Sequence, residues 1–517
     1  MAELTLRGVI LGALITLVFT AANVYLGLKI GLTFATSIPA AVISMAVLRL
    51  FSTGTILENN IVQTIASAAG TLSAIIFVLP GLVIIGWWQG FPYWLSAFTI
   101  ATGGILGVMY SVPLRRALVT GSDLPYPEGV AAAEVLKVGA GSREGLEENK
   151  RGLAAIVASA LSAATFSIVA KTRLIAEEAA TFFKLGAGAT SVSTSFSMAL
   201  IGVGHLVGLS VGVAMFIGLL ISWVGLVPYL TAPVAAGADL STVVGTIFST
   251  KARFIGAGTI GVAAIWTLLK ILGPIISGIR SALAANATRK AGNAGLLDIT
   301  ERDLPIGIVA GTIVAAMLPI ALLLWVFAQG GPIALNPVPV IGLTLAYVLV
   351  AGIVIASVCG YMAGLIGASN SPISGVGILA VLGASLLLAA IYGSGGDEGQ
   401  TQALIAYALF TTAIVFGIAT ISNDNLQDLK TGQLVGATPW KQQLALVLGV
   451  IFGALVIPPV LDLLNSAFGF AGASGAGANA LPAPQAALIS ALAKGVLGGD
   501  LDWGLIAIGA GIGVVVI

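Results

Sequence analysis

Acid and amide side chains stand at helical spacing inside an apolar stretch near the start of the chain. The stretch ILENNIVQTIASAAG, residues 56–70, contains Glu58, Asn59, Asn60, Gln63, Thr64 and Ser67. The last four of these are three or four positions apart, so a helix would bring them onto one face. A polar stripe on an otherwise apolar helix normally faces water or a ligand. The alternative is a solvated loop between two helices.

A second polar stretch, ISNDNLQDLKTGQLVGATPWKQQ, covers residues 421–443. It contains Asn423, Asp424, Asn425, Gln427, Asp428 and Lys430 between two apolar runs. The predicted spans end at 421 and begin again at 443, so this stretch is expected to connect them. A solvated loop without a binding role is again the alternative. A carboxylate in apolar surroundings is costly to keep charged. Glu58, Asp424 and Asp428 are therefore candidates for binding and releasing a proton.

Two apolar segments are interrupted by residues that disturb a helix. YLGLKIGLTFATSIPAAVIS, residues 25–44, and YMAGLIGASNSPISGVGILA, residues 361–380, each combine a tyrosine, paired glycines, small hydroxyl side chains and a proline. Proline removes a backbone donor and clashes with the preceding turn. Broken helices of this kind are tolerated where the irregular backbone lines a cavity. An ordinary proline kink is the alternative.

Composition excludes several kinds of site. With one cysteine, Cys359, and one histidine, His205, the chain cannot build cysteine-ligated zinc, an iron–sulfur cluster or a multi-histidine metal site. We predict neither a metal site nor a cofactor. The net charge of +1 offers no basic surface for nucleic acid. The sequence has no Walker A motif and no nucleophile with a partnered base, which argues against an ATP-driven pump and against an enzyme.

The elements that position these residues are predicted to be membrane-spanning helices. Of 517 residues, 58% are hydrophobic and 8% are charged, against roughly 25% charged in an ordinary soluble domain. A bilayer accepts so much apolar side chain, provided that each span closes its own backbone hydrogen bonds. Transmembrane β-strands alternate apolar and polar residues, and this chain does not. The sequence therefore predicts an all-α polytopic membrane protein of the cell's inner (plasma) membrane.

The predicted spans number about fourteen, with broken or re-entrant segments among them. A span needs about 20 apolar residues. That length places spans at 6–28, 33–51, 61–85, 94–114, 152–170, 194–208, 209–230, 256–281, 304–327, 338–364, 373–392, 402–421 and 443–462, with a fourteenth from about 503. Lys and Arg residues in the connections 115–151 and 280–303 place these loops and the N-terminus in the cytoplasm.

Weaker patterns concern domain organisation. We expect one transmembrane domain over residues 1–517. Within it, ENNIVQTI aligned on SNDNLQDL pairs Asn59 with Asn423 and Gln63 with Gln427. This pairing suggests two related halves, about 1–300 and 301–517. The chain stops inside the apolar run DWGLIAIGAGIGVVVI, which we interpret as a truncated last helix.

The segment DLPYPEGVAAAEVLKVG, residues 123–139, combines a helix breaker with a helix former. Two prolines flank Tyr126 and prevent a continuous helix there. The run from Glu128 onward is amphipathic and favours a helix. We predict a short helix at, or dipping into, the cytoplasmic face.

Four of these motifs, in this order, resemble the prokaryotic branch of the oligopeptide transporter family, which is related to the yellow-stripe carriers of metal chelates. They are ENNIVQTIASAAG, DLPYPEGVAAAEVLKVG, SNSPISGVGILA and ISNDNLQDLKTGQLVGATPWKQQ. The resemblance implies a secondary transporter, usually proton-coupled, that moves small peptides or peptide-like metal chelates. It also suggests that the segment with Tyr126 and Glu128 shapes an inner gate.

Our first hypothesis is a proton-coupled symporter of small peptides. We expect its substrate to be held by Asn59, Asn60, Gln63, Tyr361, Ser369, Asn370 and Ser371, and its proton by Glu58, Asp424 or Asp428. A metal chelate of the siderophore or nicotianamine type is the alternative substrate. The rival of another class is a channel whose polar stripe conducts ions. The sequence leaves open whether the chain acts alone or as a homodimer.

Overall fold

The structure is a computed structural model in which nearly all regular secondary structure is helical. It describes residues 2–51, 54–141, 178–196, 198–290, 298–329, 331–371, 373–477 and 479–517, together with scattered positions between 147 and 176. The chain divides into two compact units. The first unit comprises residues 1–149 and 264–501, and the second comprises 150–263 and 502–517.

The helices of the first unit come from both ends of the chain. They are α1 Leu6–Ile30, α2 Ser37–Leu48, α3 Ile56–Leu72, α4 Pro80–Ile84, α5 Tyr93–Arg115 and α6 Pro127–Gly141. The second unit holds α7 Met198–Leu219, α8 Val227–Thr231 and α9 Leu240–Ile247. Helix α10, Arg253–Lys290, has its residues up to 263 in the second unit and the rest in the first. The remaining helices are α11 Ile306–Ala328, α12 Pro337–Ile366, α13 Ile373–Tyr392, α14 Glu398–Val435, α15 Pro439–Phe468 and α16 Pro484–Gly498 in the first unit, and α17 Trp503–Val516 in the second.

Nine helical stretches in the described part of the chain are long and apolar enough to cross a membrane. They are Leu6–Ile30, Ile56–Ile84, Tyr93–Thr120, Gly208–Thr231, Ile299–Ala328, Pro337–Ile366, Ile373–Tyr392, Glu398–Val435 and Pro439–Phe468. Two shorter apolar helices, α2 and α17, add to them. The predicted all-α polytopic class is confirmed. The predicted span at 152–170 is described only at scattered positions, and its masked positions lie outside the described residues.

Helices α3 and α14 form the interior of the first unit. The apolar window of α14 is completely buried, and that of the stretch containing α3 is 94% buried. Helix α14 packs against α5, α12, α13 and α3, and α3 packs against α1, α2 and α15. Glycine makes the closest of these approaches possible. A Cβ atom on Gly103 of α5 would stand 2.6 Å from the carbonyl oxygen of Ile414 on α14.

Helix α14 is longer than the sequence predicts, because the polar stretch after residue 421 is helical and not a connection. The helix runs to Val435, where Gly436 ends it in a left-handed conformation (φ 78°). Its 38 residues span about 57 Å. The prediction failed because it assumed that these polar residues are solvated by water and so mark the end of a span. Here Asn423, Asp424 and Asp428 are buried among neighbouring helices.

The two interruptions lie where the sequence predicts them. Helix α1 ends at Gly31 (φ 75°), and an irregular segment, 31–36, leads into α2. Helix α12 ends at Gly367 (φ 94°), and a second irregular segment precedes α13. Both glycines adopt positive φ values that cost other residues free energy. We call residues 31–36 the first break and 367–371 the second break.

Two features of the chain were not predicted, whereas the break within 194–230 was. Strands β1 Glu178–Leu185 and β2 Gly188–Ser195 form an antiparallel hairpin in the second unit, closed by a turn with Gly186 at positive φ. Helix α16 has only 15 residues and escaped a search for spans of about 20. The run 194–230 was expected as two spans, and α7 is indeed broken at Gly208, whose φ and ψ are non-helical.

A buried ion-pair network ties the end of α5 to the residues before α11. Arg115 is buried and contacts Asp303 at 2.5 Å and Glu301 at 3.3 Å. Arg116 also reaches Asp303, at 3.0 Å, and Gln443 of α15 donates to Asp303 at 2.7 Å. One carboxylate therefore holds three elements of the first unit together.

We expect Asp303→Asn to lower the free energy of unfolding by about 3 kcal/mol, since a buried guanidinium loses its main counter-charge. Denaturant or thermal unfolding of the protein in detergent measures this. The matched control is Asp298→Asn, an exposed residue a few positions earlier. Equal stability of the two variants would show that the network is not what holds α5 to α11.

Candidate functional site

The two breaks meet in the interior of the first unit. The backbone N–H of Ala35, in the first break, donates to the Ser369 hydroxyl of the second break at 3.0 Å. Between them lies a cavity of about 50 Å³, lined by both breaks, by Thr71 of α3 and by Asn423 of α14. A cavity of this size holds a few water molecules. This volume is too small to hold a peptide.

Buried side chains of α1 and of the break itself hold the first break. Asn23 donates from Nδ2 to the carbonyl oxygens of Phe34 at 3.0 Å and Gly70 at 3.2 Å, and its Oδ1 accepts from the Phe34 N–H at 3.4 Å. Thr36 donates to the Ala66 carbonyl at 3.0 Å. These bonds replace the intrahelical partners that a broken helix loses. The sequence analysis missed Asn23, whose only signal is a single amide within an apolar span.

Side chains from α14 and α6 hold the second break. Asn423 donates from Nδ2 to the Ala368 carbonyl at 2.9 Å, and the Ser371 hydroxyl donates to Asn423 Oδ1. On α6, the two carboxylate oxygens of Glu128 accept from the N–H groups of Ala368 at 3.1 Å and Ser369 at 3.0 Å. The second break is therefore bound through its carbonyl groups by an amide and through its N–H groups by an acid.

The segment before α6 is fixed by unusual backbone geometry. Tyr126 has a positive φ of 44°, donates its N–H to the Gly364 carbonyl at 2.8 Å and its hydroxyl to the Leu118 carbonyl at 2.9 Å. Gly129 donates to Gln427 Oε1 at 2.7 Å. Burial, together with the negative charge of Asp424, raises the pKa of the half-buried Glu128 carboxyl. The short helix predicted at this position is present, and it closes over the second break.

A cluster of buried acids and amides lies next to the cavity. Ser67 and Thr71 of α3 donate to Asp424 Oδ2 at 2.5 Å and 2.8 Å. Thr71 also lines the cavity, so one side chain touches both the open space and the acid. Asp428 lies one turn further along α14, with Gln63 and Ser67 as polar neighbours. The cluster therefore joins the polar faces of α3 and α14, the two stretches that the sequence singled out.

Several polar atoms of this cluster have no hydrogen-bond partner among the described residues. They are Asp424 Oδ1, both carboxylate oxygens of Asp428, Gln63 Oε1 and Asn60 Nδ2. Asp424 and Asp428 are each 1% exposed, and the seven described ion pairs include neither of them. A buried carboxylate without a counter-charge or a donor costs several kcal/mol unless it takes up a proton or a ligand.

Glu58 and Asn59 lie apart from this cavity. Glu58 forms an ion pair with Arg7 at 2.6 Å and accepts from the Thr5 hydroxyl. Asn59 accepts from the Ser44 hydroxyl, donates to the Thr55 carbonyl at 3.0 Å and lines a different, open cavity of about 460 Å³. Both predicted roles stay predictions, and the geometry favours a structural role for Glu58.

We expect Glu58→Gln to weaken the fold without changing proton dependence. Loss of the charged hydrogen bonds to Arg7 should lower the free energy of unfolding by about 1.5–3 kcal/mol. The ratio of solute uptake with and without a proton gradient should stay at its wild-type value, because Glu58 does not touch the cavity. A Glu58→Gln variant that folds well but no longer responds to the proton gradient would show that Glu58 takes part in proton coupling.

The remaining predicted binding residues divide between the cavity and its surroundings. Among the described residues, Ser369 and Ser371 line the cavity, whereas Asn370 and Tyr361 do not. Asn370 donates to the Ile366 carbonyl at 3.2 Å and so closes the end of α12. Tyr361 is half-buried on α12. Within the described ranges, no group of three or more His, Cys, Asp or Glu side chains comes together as a metal centre would require.

Comparison with known proteins shows which family this chain belongs to. Residues 3–517 match the family described as "OPT oligopeptide transporter protein". The chain belongs to this oligopeptide transporter family. The match extends over nearly the whole chain, so both units described above are part of the family's domain. The family is one of transporters, and its members are multi-pass membrane proteins, in agreement with the nine apolar helices described here.

Relatives of this oligopeptide transporter family member come from a bacterium and a plant. A protein of Haemophilus influenzae named "Putative oligopeptide transporter" is 45% identical over 507 residues, which is 95% of this chain and 78% of that protein. A rice (Oryza sativa subsp. japonica) protein named "Probable metal-nicotianamine transporter YSL14" is 22% identical over 564 residues, 96% of this chain and 72% of that protein. The predicted kinship with both peptide and metal-chelate carriers is confirmed.

Proposed function

We propose that this protein is a secondary active transporter of the plasma membrane that moves a small peptide together with protons. The observation that carries the proposal is the position of Thr71, which lines the cavity between the two breaks and donates a hydrogen bond to Asp424. Solute and proton sites that share one side chain can influence each other directly. Family membership and the bacterial relative support a peptide as the solute.

The breaks supply the groups that recognise a peptide. An irregular backbone segment in a membrane exposes N–H and C=O groups that a continuous helix keeps for itself. Ser369, Ser371 and Asn423 place hydroxyl and amide groups beside these backbone groups at the cavity. Because the cavity is too small for a peptide, we expect it to enlarge when the breaks separate, with Asn60 and Gln63 joining the polar wall.

The unpaired acids supply the coupling site. Asp424 accepts two hydroxyl hydrogen bonds, whereas neither oxygen of Asp428 has a partner among the described residues. Hydrogen bonds to the charged form favour it, and their absence favours protonation. We therefore assign the transported proton to Asp424 and Asp428. Asp428 takes up the proton, and Asp424 passes the effect of this protonation to the cavity through its hydrogen bond with Thr71.

A peptide-like metal chelate is the second candidate solute, favoured by the similarity to plant proteins named as metal-nicotianamine transporters. The backbone groups at the breaks would suit the carboxylates of such a chelate as well as the termini of a peptide. A channel is the rival of another class. The small volume of the cavity, about 50 Å³, argues against a wide, permanently open pore at this position.

Uptake into proteoliposomes tests the proposal. Labelled di- to pentapeptides and nickel–nicotianamine are offered to the reconstituted protein with and without an inward proton gradient. We expect saturable uptake of one class that rises with the gradient. Uptake of either class that does not saturate, or that ignores the gradient, would contradict a proton-coupled carrier. A saturable flux of the chelate alone would identify the second candidate.

A further inference from the structure

The N–H groups of the second break already hold a carboxylate, which belongs to the protein itself. Glu128 Oε2 accepts from the N–H of Ala368 at 3.1 Å and Oε1 accepts from the N–H of Ser369 at 3.0 Å. Two consecutive N–H groups bind the two oxygens of one carboxyl group. Such charge-assisted hydrogen bonds are stronger than those between neutral groups. Gly367 makes the arrangement possible, because its φ of 94° turns the chain before Ala368 and a Cβ there would stand 3.0 Å from Glu128 Oε1.

This carboxylate position borders on the cavity. Ala368 and Ser369, whose N–H groups bind Glu128, are themselves part of the cavity wall. The Ser369 hydroxyl accepts from Ala35 of the first break, so the residue that binds the carboxylate also joins the two breaks. A solute carboxylate inside the cavity would therefore compete with Glu128 for the N–H groups of Ala368 and Ser369.

Electrostatics decides whether both carboxylates can be present together. Asp424 acts electrostatically on Glu128, and Glu128 acts electrostatically on Asp428. A fourth carboxylate added to this region would meet three acids without a described cationic partner at hydrogen-bonding distance. The exchange of Glu128 for a solute carboxylate leaves the local charge unchanged. Occupation by one or the other is favoured over occupation by both.

Glu128 also connects the cavity to helix α6. The inner face of α6 is buried at Ala132, Ala133 and Leu136, and Gly129 is bound to Gln427 and Thr431 of α14. Removal of Glu128 from the second break would take away the one charged contact described between α6 and that break. Helix α6 could then move away from the first unit and open a path to the cavity.

We propose that the N–H groups of Ala368 and Ser369 are the site for the solute's carboxylate, that Glu128 occupies this site in the empty carrier, and that the solute displaces Glu128 and so releases α6. The proposal rests on the proposed transport function and adds a recognised chemical group, a carboxylate. That carboxylate is the C-terminus of a peptide or belongs to the organic ligand of a metal chelate.

The test reads the position of α6 without relying on transport. In a Cys359→Ala background, a single cysteine is placed at the buried Ala133, and its alkylation rate by a maleimide is measured on the full-length protein in detergent. Ala132→Cys serves as a second reporter in case the first variant does not fold. Glu128→Gln is compared with the matched control Glu134→Gln, an exposed acid of the same helix that pairs with Lys137.

Without any ligand, we expect Glu128→Gln to raise the alkylation rate about 10-fold. The NH₂ group of the amide faces the N–H groups of the break, so the contact between α6 and the break is weakened by about 1.4 kcal/mol. Glu134→Gln should leave the rate unchanged. If both variants alkylate at the wild-type rate, Glu128 does not hold α6 and the proposal is overturned.

The ligand arm uses three probes: di- to pentapeptides with free C-termini, the same peptides amidated at the C-terminus, and nickel–nicotianamine. We expect a carboxylate-bearing probe to raise the alkylation rate of the protein with Glu128 intact, and the amidated peptides to have no effect. Acceleration by the free peptides or by the chelate identifies the source of the carboxylate. Equal acceleration by free and amidated peptides, or none by any probe, would overturn the assignment of a carboxylate site.

These outcomes are separate from failure of the proposed function. If Glu128→Gln accelerates alkylation and the carboxylate probes act, but reconstituted protein shows no saturable uptake, the site stands and the transport mechanism falls. If uptake is found and amidated and free peptides are carried equally well, the transporter stands and the carboxylate site falls.

Discussion

We expect Asp428→Asn to abolish accumulation of solute against a gradient while leaving exchange of solute for solute intact. One proton coupled across a gradient of about two pH units is worth about 2.7 kcal/mol, which is about a 100-fold accumulation ratio. The amide cannot take up the proton, so the ratio should fall to about 1. Exchange does not require net proton movement and should continue, because Asp428 is not among the residues that line the cavity.

The matched control for this variant is Asp397→Asn, an exposed aspartate at the start of the same helix whose side chain caps nothing. Uptake and exchange are measured on the same proteoliposome preparations, with imposed gradients of either direction. Asp397→Asn should behave as the wild type. Accumulation that persists in Asp428→Asn and also in Asp424→Asn would show that neither acid of α14 carries the coupling proton.

The second large effect is expected at Asn423, which shapes the cavity. Asn423→Leu keeps the volume of the side chain but removes the amide that binds the Ala368 carbonyl and the Ser371 hydroxyl, which then have only the hydrogen bond to each other. Where a loss of about 1–3 kcal/mol falls on the solute-bound form alone, solute binding weakens about 5–150-fold. Uptake and exchange should both fall by such a factor, in contrast to Asp428→Asn, where exchange survives.

Asn465→Leu on α15 is the control for this variant, because the Asn465 amide donates to the Gln89 carbonyl at the protein surface. The concentration of solute at half-maximal exchange is the quantity to compare. A normal half-maximal concentration in Asn423→Leu, with folding confirmed by unfolding curves, would show that the cavity between the breaks is not where the solute binds.

Much of the helical framework follows from the apolar runs of the sequence. The predicted spans 6–28, 94–114, 304–327 and 373–392 agree closely with α1, α5, α11 and α13. Hydrocarbon thickness and the need to close backbone hydrogen bonds fix the length of such helices. The breaks were predictable too, because glycine and proline within an apolar run act on the backbone locally.

What the sequence could not show is which polar residues a neighbouring helix would shelter. The acids of α14 were assigned to a connection, since charge near the end of an apolar run usually marks the water interface. Their burial depends on α3, which contributes Ser67 and Thr71 from more than 350 residues away in the chain. Pairings of this kind depend on tertiary packing, and a single sequence carries no direct signal for them.

The candidate site divides in the same way. Ser369 and Ser371 were predicted from the composition of their own segment and do line the cavity. Asn23 was overlooked, because a single amide in a span carries little signal on its own. Glu58 stood out by its charge next to amides, yet its partner Arg7 lies on α1. Residue type thus indicated where chemistry is concentrated, and only the packing of α1, α3 and α14 assigned each residue to the cavity or to the framework.

In the proposed mechanism, the buried acids beside the cavity carry the proton that accompanies the solute. The most direct measurement is acidification of the proteoliposome interior, followed with an enclosed pH-sensitive dye, when solute is added outside without any imposed gradient. We predict solute-dependent acidification with the wild type and Asp397→Asn and none with Asp428→Asn. Equal acidification in all three, or solute entry in the wild type with no change of internal pH, would contradict the account.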